Sequence, residues 1–387
     1  MRFSRYNRVI PLLVVLLSSF FIVPGSASLN TPIASMSYLT YFGGSNIEEV
    51  TSTSCRADGA IAIAGHTNSL DLPVTDDAFQ DEFRGGDWDI FVAMFSSAGD
   101  LIFCTYLGGS AREHFDSVTF DNSGNIVVAG FTRSEDFPVT SNALQTECAG
   151  ESDGFLVTIS DDGTSLLYGT YFGGNSSDEI ESVEIDEEGN YLFSGTTSSI
   201  GLATEGAYQN HPQGGEDIYV AKLAHDGSEI LFFSYFGGLT TDRLECMAID
   251  STHNFILSGL TRSSDFPTTS DAFQSNYSGS GDAFLTKISS NGSRLEWSTL
   301  VGGTDEEYGR GVDVDSLDNV ILAGQTRSTD LQTSNAIQPN HGGGTYDTFL
   351  YKCTFEGENQ FLSYLGGNQF DLAYDVKFDT NDRPVVV

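Results

Sequence analysis

Short apolar runs bounded by turn residues fill this chain, and no helical period separates them. From Glu113 onward, Phe115 to Phe120 alternates toward strand character. Asp121-Asn122-Ser123-Gly124-Asn125 is a turn, and Ile126 to Gly130 is an apolar run rich in β-branched residues. This predicts a hairpin of two strands, A and B. A longer segment leads to a second hairpin, strands C and D, seen in Ile90 to Phe95 and Leu101 to Leu107 around Ser97-Ala98-Gly99-Asp100. The fourth residue of the A–B turn is Gly59, Gly124, Gly189, His253, Asp318 and Asp382 along the chain. These residue types tolerate positive φ, so a left-handed turn position is predicted at each.

The pattern is periodic. A Tyr-Phe-Gly-Gly string begins at Tyr41 and returns in variant form at Tyr106, Tyr171, Tyr235, Leu300 and Tyr364, a spacing of 64 or 65 residues. Self-similarity at a long fixed period means an array of one supersecondary unit. Four antiparallel strands per unit, without helices, predict an all-β fold: a β-propeller of four-stranded blades. A single propeller domain is expected over residues 28–387, with complete units near 45–109, 110–174, 175–238, 239–303 and 304–367 and a partial one at 368–387. A lone D-type strand at Tyr38 to Phe42 precedes them, and the tail supplies strand A, Leu372 to Phe378, and the start of strand B, Pro384 to Val387. Joined, these ends predict an incomplete closing sixth blade beside the five complete ones. Either that blade is three-stranded or the chain stops early in a longer reading frame. The ending Val385-Val386-Val387, where other units continue Ala-Gly-x-Thr, favours the second.

Tyr106-Leu107-Gly108-Gly109 with its acidic cluster, the Asp-x-x-Gly-Asn turn, Ala129-Gly130-Phe131-Thr132-Arg133-Ser134 and Asp136-Phe137-Pro138 together resemble the SBBP repeat, the family named for a seven-bladed β-propeller. The resemblance covers nearly the whole chain after residue 27. It implies an exported microbial surface or secreted propeller whose biochemical activity is generally unassigned. Two units depart from it, with Ile200-Gly201-Leu202 for Asp-Phe-Pro and Asp330-Leu331-Gln332 without the Pro, and six blades at most fall short of seven.

Composition adds export and acidity. Arg2, Arg5 and Arg8, the apolar run Val9 to Val23 and Pro24-Gly25-Ser26-Ala27 form the three parts of a secretory signal peptide, with cleavage expected after Ala27. The run is interrupted by Pro11 and is shorter than the roughly 20 residues of a spanning helix, so no integral membrane span is expected after cleavage and the product is secreted or held at the cell surface. A formal charge of −37 excludes nucleic acid as a partner, because phosphate backbones need clustered Lys and Arg. The five cysteines fall at different repeat positions, so no disulfide belongs to the unit.

Strand parity separates two faces. The A–B and C–D turns share one; the other carries the long B–C segments, such as Asn68 to Asp87, and the Gly-Gly connections, so it has the material for a site. Acidic residues recur there. Glu48, Glu113, Asp178, Asp242, Glu307 and Asp371 stand four residues after the second Gly, and Asp89, Asp153, Asp217, Asp282 and Asp347 open strand C. These eleven are the candidate ligand-face rim, able to take a cation, calcium above all, or sugar hydroxyls. The competing reading is that each caps N–H groups of its own loop, and recurrence in every unit favours it. No organic cofactor is expected. The hydrophobe that recurs in the Ala-x-Gln part of the B–C insert (Phe79, Leu144, Tyr208, Phe273, Ile337) is expected to tuck the loop onto its blade, and Arg133, Arg262 and Arg327 to form local salt bridges.

Catalytic signatures are missing. His66, His114, His211, His225, His253 and His341 hold unrelated repeat positions with no metal spacing, and there is no nucleophile elbow or P-loop. The chain is therefore expected not to be an enzyme but a binding scaffold for a protein, glycan or cation on its long-loop face. A carbohydrate-active hydrolase or lyase is the alternative, and a structural module of a larger adhesin a third. A blade that departs from the repeat with a cluster of carboxylate, Tyr and His would favour the hydrolase.

Overall fold

The computed structural model describes residues 39–387 and the strand Leu13–Val15; apart from that strand, the signal segment expected at 1–27 lies outside the described residues. Strand β1 (Leu13–Val15) pairs antiparallel with β2 (Leu39–Tyr41). Five four-stranded antiparallel sheets follow, each in the spatial order A-B-C-D. Sheet 1 is β3 (Glu48–Cys55), β4 (Ile61–Thr67), β5 (Asp89–Phe95) and β6 (Leu101–Leu107); sheet 2 is β7 (Glu113–Phe120), β8 (Ile126–Thr132), β9 (Asp153–Ile159) and β10 (Leu166–Phe172). Sheet 3 is β11 (Asp178–Ile185), β12 (Tyr191–Thr197), β13 (Asp217–Leu223) and β14 (Ile230–Phe236). Sheet 4 is β15 (Asp242–Ile249), β16 (Phe255–Thr261), β17 (Asp282–Ile288) and β18 (Leu295–Val301); sheet 5 is β19 (Glu307–Val314), β20 (Val320–Thr326), β21 (Asp347–Cys353) and β22 (Asn359–Leu365). The hairpin β23 (Val376–Phe378) and β24 (Pro384–Val386) ends the chain. No helix occurs among the described residues.

Where the sequence suggests a single domain, the chain divides into two compact units. The first, Met1–Cys148 with Ser152–Phe172, holds sheets 1 and 2; the second, Ala149–Glu151 with Gly173–Val387, holds sheets 3 to 5 and the final hairpin. Of the closing sixth blade only its A–B hairpin is seen, and β2 pairs with β1 instead. Strand A of that hairpin is shorter than expected, because past Val376 toward its start the chain has only Val387 to pair with: Tyr374 N–H donates to Val387 O, and Val387 N–H to Asp375 O.

The turns follow the residue types. Gly59, Gly124 and Gly189 have φ of 85°, 86° and 84°, and the non-glycine equivalents His253, Asp318 and Asp382 keep the left-handed region at 59°, 60° and 57°. In the second unit the turn Asp also meets a lysine from strand C: Lys222–Asp186 at 2.6 Å, Lys287–Asp250 at 2.6 Å and Lys352–Asp315 at 2.9 Å. Burial alone would raise Asp250, but hydrogen bonds from Lys287 and Asn254 bring its pKa down to about 2.

Strand A of each four-stranded sheet carries a β-bulge at the same place, between Val50 and Ser52 in sheet 1 and between Gly309 and Gly311 in sheet 5. Opposite each bulge strand B has glycine. A Cβ at Gly130 would stand 2.1 Å from His114 O, and at Gly195 1.9 Å from Glu179 O. The Gly of Ala-Gly-x-Thr is thus required by close backbone approach, not by a turn. Strands B and C are buried along nearly their whole length, and the cores lie where one sheet packs on the next. Phe103, Phe115 and Phe155 anchor the first unit; Phe232, Phe255, Phe284, Phe349 and Tyr351 anchor the second.

The repeated tyrosine fastens the B–C insert. Tyr171 is buried in strand D, its hydroxyl donates to Ser134 O (2.7 Å), and it accepts from Phe137 N (3.0 Å). Tyr106, Tyr235 and Tyr364 repeat this double bond with Leu72, Leu202 and Leu331. Where Leu300 lacks a hydroxyl, Phe266 N–H donates directly to Ser263 O. Leu72, Phe137, Phe266 and Leu331 are buried and pack the insert, whereas of the Ala-x-Gln hydrophobes Phe79 and Phe273 pack partly buried on the cores, Leu144 is half-buried, and Tyr208 and Ile337 are exposed, so that expectation holds in some units only.

Candidate functional site

The Gly-Gly end of each sheet holds two classes of polar residue, one that repeats and one that does not. The repeating class contains the eleven carboxylates. Asp89, Glu113, Asp153, Asp178, Asp217, Asp242, Asp282, Glu307 and Asp347 are completely buried, while Glu48 and Asp371 are half-buried. Those that open strand A reach back to the second Gly: Gly44 N–H donates to Glu48 (3.0 Å), Gly174 to Asp178 (2.7 Å), Gly238 to Asp242 (2.6 Å), Gly303 to Glu307 (2.9 Å) and Gly367 to Asp371 (2.8 Å). The end of strand B supplies hydroxyls. Glu113 accepts from Thr132 (2.9 Å) and Ser134, Asp178 from Thr197 and Ser199, and Asp242 from Thr261 and Ser263.

The carboxylates that open strand C bind their own B–C insert. Asp89 accepts from Arg84 N (2.7 Å), Asp153 from Gln145 Nε2 (2.6 Å), Asp217 from Gln213 N (2.5 Å), Asp282 from Ser278 N (3.0 Å) and Asp347 from Gly342 N. All eleven are therefore turned to donors of their own or the preceding connection, and nine have no solvent-facing surface. Among the described residues no group of three or more His, Cys, Asp or Glu side chains is placed to hold a metal ion.

The second class sits one and three residues into strand A, at the last but one residue of strand B, and just before strand C. In the first unit these places bring five residues together. His66 and His114 have ring centroids 4.6 Å apart, His114 stacks on Phe131 at 5.0 Å, and Trp88 meets His66 edge-on at 6.3 Å. His114 Nδ1 lies 3.2 Å from Asp116. Phe115 N–H donates to His66 Nε2 at 2.9 Å, which puts the His66 proton on Nδ1. Burial, then the neighbouring His114 and Arg112, lower its pKa to about 4, so His66 is neutral near pH 7.

In the second unit the same positions carry Glu216, Arg243, Glu245, Tyr308, Arg310 and Tyr346, joined by Glu306 just before strand A and by Arg262 and Arg327 just after strand B. Arg243 Nε bonds Glu216 at 2.8 Å and Arg310 bonds Glu245 at 2.5 Å. Glu306 takes Arg262 at 2.8 Å and has Arg327 at 4.0 Å, so two of the three arginines of the Thr-Arg-Ser string form local ion pairs as expected. Arg310 lies over the Tyr308 ring (5.0 Å) and Arg327 over Tyr346 (4.5 Å), which meets the exposed Phe370 edge-on at 5.6 Å. Desolvation raises the pKa of both tyrosines, so their hydroxyls remain donors. Apart from Arg262 and Arg327, sequence reasoning missed this set because it searched for what recurs. Aligning the units and selecting the positions that do not would have found it.

No family model matches the chain. The regulatory protein FlaEY of Caulobacter vibrioides is 23% identical over 281 residues, 68% of this chain, and the chain spans only 28% of that protein. Among solved structures, a gluconolactonase from Xanthomonas campestris superposes with TM-score 0.41 at 11% identity, covering 89% of this chain and 85% of its own. The Synechocystis apocarotenoid oxygenase does so with TM-score 0.39 at 9% identity, covering 83% and 62%. The expectation that the chain is not an enzyme is corrected by these neighbours, which are themselves enzymes. At such scores they bring no reaction and no substrate to this chain.

Proposed function

We propose that the chain is an exported β-propeller of the SBBP-repeat kind, built of four-stranded blades, that binds a glycan at the Gly-Gly end of its second unit. The observation carrying this is the divergence of Glu216, Arg243, Glu306, Tyr308, Arg310 and Tyr346 on a frame whose other residues repeat, with the Thr-Arg-Ser arginines Arg262 and Arg327 drawn into the set by Glu306. A repeat that needed these positions for folding would have kept them alike. Planar guanidinium and phenol groups offer stacking faces, and the carboxylates accept sugar hydroxyls. The test is a glycan array probed with the secreted chain. The reading predicts a hit weakened tenfold or more by Arg262→Ala with Arg327→Ala and unchanged by Lys352→Ala on the turn face. Equal binding by all three proteins would defeat it.

A second reading, a carbohydrate-active hydrolase or lyase, is favoured by the His114–Asp116 couple beside neutral His66, the departure from the repeat that such chemistry requires. Glycan cleavage abolished by His114→Ala would establish it; intact glycans after long incubation would remove it.

A further inference from the structure

Two carboxyl groups meet, out of contact with solvent, where one sheet passes to the next. In the first unit Asp89 opens strand C of sheet 1 and Glu113 opens strand A of sheet 2, and both are completely buried. Each uses one oxygen fully: Asp89 Oδ2 accepts from Arg84 N, and Glu113 Oε1 from Thr132 and Ser134. Their other oxygens, Asp89 Oδ1 and Glu113 Oε2, have no donor. Both flank Gly108, the first Gly of the connection: a Cβ there would be 2.8 Å from Asp89 Oδ1 and 3.0 Å from Glu113 Oε2.

The second unit carries the arrangement only in part. Asp282 Oδ2 accepts from Ser278 and Gln274, whereas Asp282 Oδ1 has no donor and faces Gly302; the next carboxylate, Glu307, has both oxygens bonded, by Thr326 and by Gly303 N. Asp217 Oδ1 and Asp242 Oδ2 flank Gly237 at 2.8 and 2.9 Å from the same point, but they accept from Gly214 N (3.3 Å) and Gly238 N (2.6 Å) and are not bare. Two bare anions at such a burial are costly, and no cationic side chain bonds them, Arg84 acting on Asp89 only as a nearby charge. The charged neighbours are Arg84, whose backbone rather than its guanidinium bonds Asp89, and Asp136 beside Glu113. Asp265 lies near Asp217 and Asp242, and Tyr277 and Tyr364 near the Asp282 and Glu307 pair.

The geometry points to one proton held between the Asp89 and Glu113 carboxyl groups, and one held on Asp282 Oδ1 beside Glu307, so that these two junctions are clamped at acid pH and loosened above neutrality. The proton converts the repulsion of two lone-pair oxygens into an O–H···O⁻ bond, the strongest class of hydrogen bond a protein makes. Burial first, with the adjacent carboxylate adding to it, pushes Asp89 up to about 8 and Asp282 up to about 7 from the ordinary 3.8. A carboxyl raised on folding gives stability that is complete below its ordinary value and is lost as pH rises through the folded one. The window is therefore from about pH 4 to about pH 8. The clamp is independent of what the Gly-Gly end binds.

Thermal melts of the secreted chain from pH 5 to 8.5, in EDTA and in millimolar Ca²⁺, test this against Asp89→Asn, Asp282→Asn and the double variant. Asn keeps the shape, donates permanently and needs no proton. The expected result is a wild-type Tm that falls by about 5 °C or more across this range in either medium. Each Asn should flatten the slope, the double variant most. Independently of any variant's folding, the infrared band of protonated carboxyl groups in the native wild type should persist at pH 6 and vanish by pH 9. A flat or rising wild-type Tm, unchanged slopes in the variants, or no such band at pH 6 would overturn the proposal. So would Ca²⁺ restoring the pH 8.5 Tm of the wild type alone, which would put a cation where we put the proton.

Discussion

Glu307 and Tyr308 are neighbours in strand β19, yet they belong to different parts of the molecule. Glu307 is buried and holds Gly303 and Thr326, in a place that carries an acid in every unit. Tyr308 is half-buried, lies under Arg310, and has Glu49, His114, Glu179 and Arg243 as its counterparts. One residue along a strand reverses the side-chain direction, so frame and variable surface interleave at the same strand ends. A carboxylate that recurs is therefore evidence of a fold device, and a side chain that refuses to recur is evidence of a site. The comparison breaks if frame substitutions prove harmless or variable ones prove destabilising.

The largest effect is expected at the frame. Gly130→Ala places a methyl group 2.1 Å from His114 O, inside the bulge of strand A, and should cost at least about 3 kcal/mol in denaturant unfolding. Next comes Lys287→Met, which leaves the Asp250 carboxylate, 2% exposed, without its cation, for a loss of about 2–3 kcal/mol. Its pH signature is separate. Because Asp250 is held down to about 2, its pairing stabilises above about pH 4 and is lost as the pH falls toward 2, so the variant should lose less than the wild type over that interval. Tyr171→Phe should cost about 1–2 kcal/mol, since Ser134 O and Phe137 N both lose the hydroxyl in a buried place. Tyr235→Phe in sheet 3 should match it, as one fastening used twice.

The units, their four strands and the left-handed turn at His253 and Asp318 were legible because each is a local property repeated at a fixed period. The direction of the carboxylates was not. Whether Glu113 faces solvent depends on hydroxyls 19 and 21 residues away in Thr132 and Ser134, which come within reach only once strands A and B pair. The glycine of strand B was visible as a recurring letter, but its cause, the bulge in the opposite strand, belongs to the pairing. The division into two units left no mark on the repeat, whose period runs unbroken past Phe172. The variable set was hidden for another reason: it is defined by difference, and only an alignment of the units against one another exposes it.

The smallest expected effect bears most directly on the comparison. Arg262 is about half exposed and its ion pair with Glu306 lies at the surface, where such pairs contribute little once side-chain entropy and salt screening are counted. Arg262→Ala should therefore change stability by no more than about 0.5 kcal/mol and leave the melting cooperativity intact. Glu306, 12% exposed, should keep part of its compensation from Arg327 at 4.0 Å, so the double variant Arg262→Ala with Arg327→Ala should lose more than the sum of the two single losses. Arg262 recurs as Arg133 and Arg327, so if the single variant cost several kcal/mol, recurrence alone would mark the frame and this surface ion pair would belong to it despite its exposure. If it is silent in stability and damaging in ligand capture, the face is a site built from residues that the fold can spare.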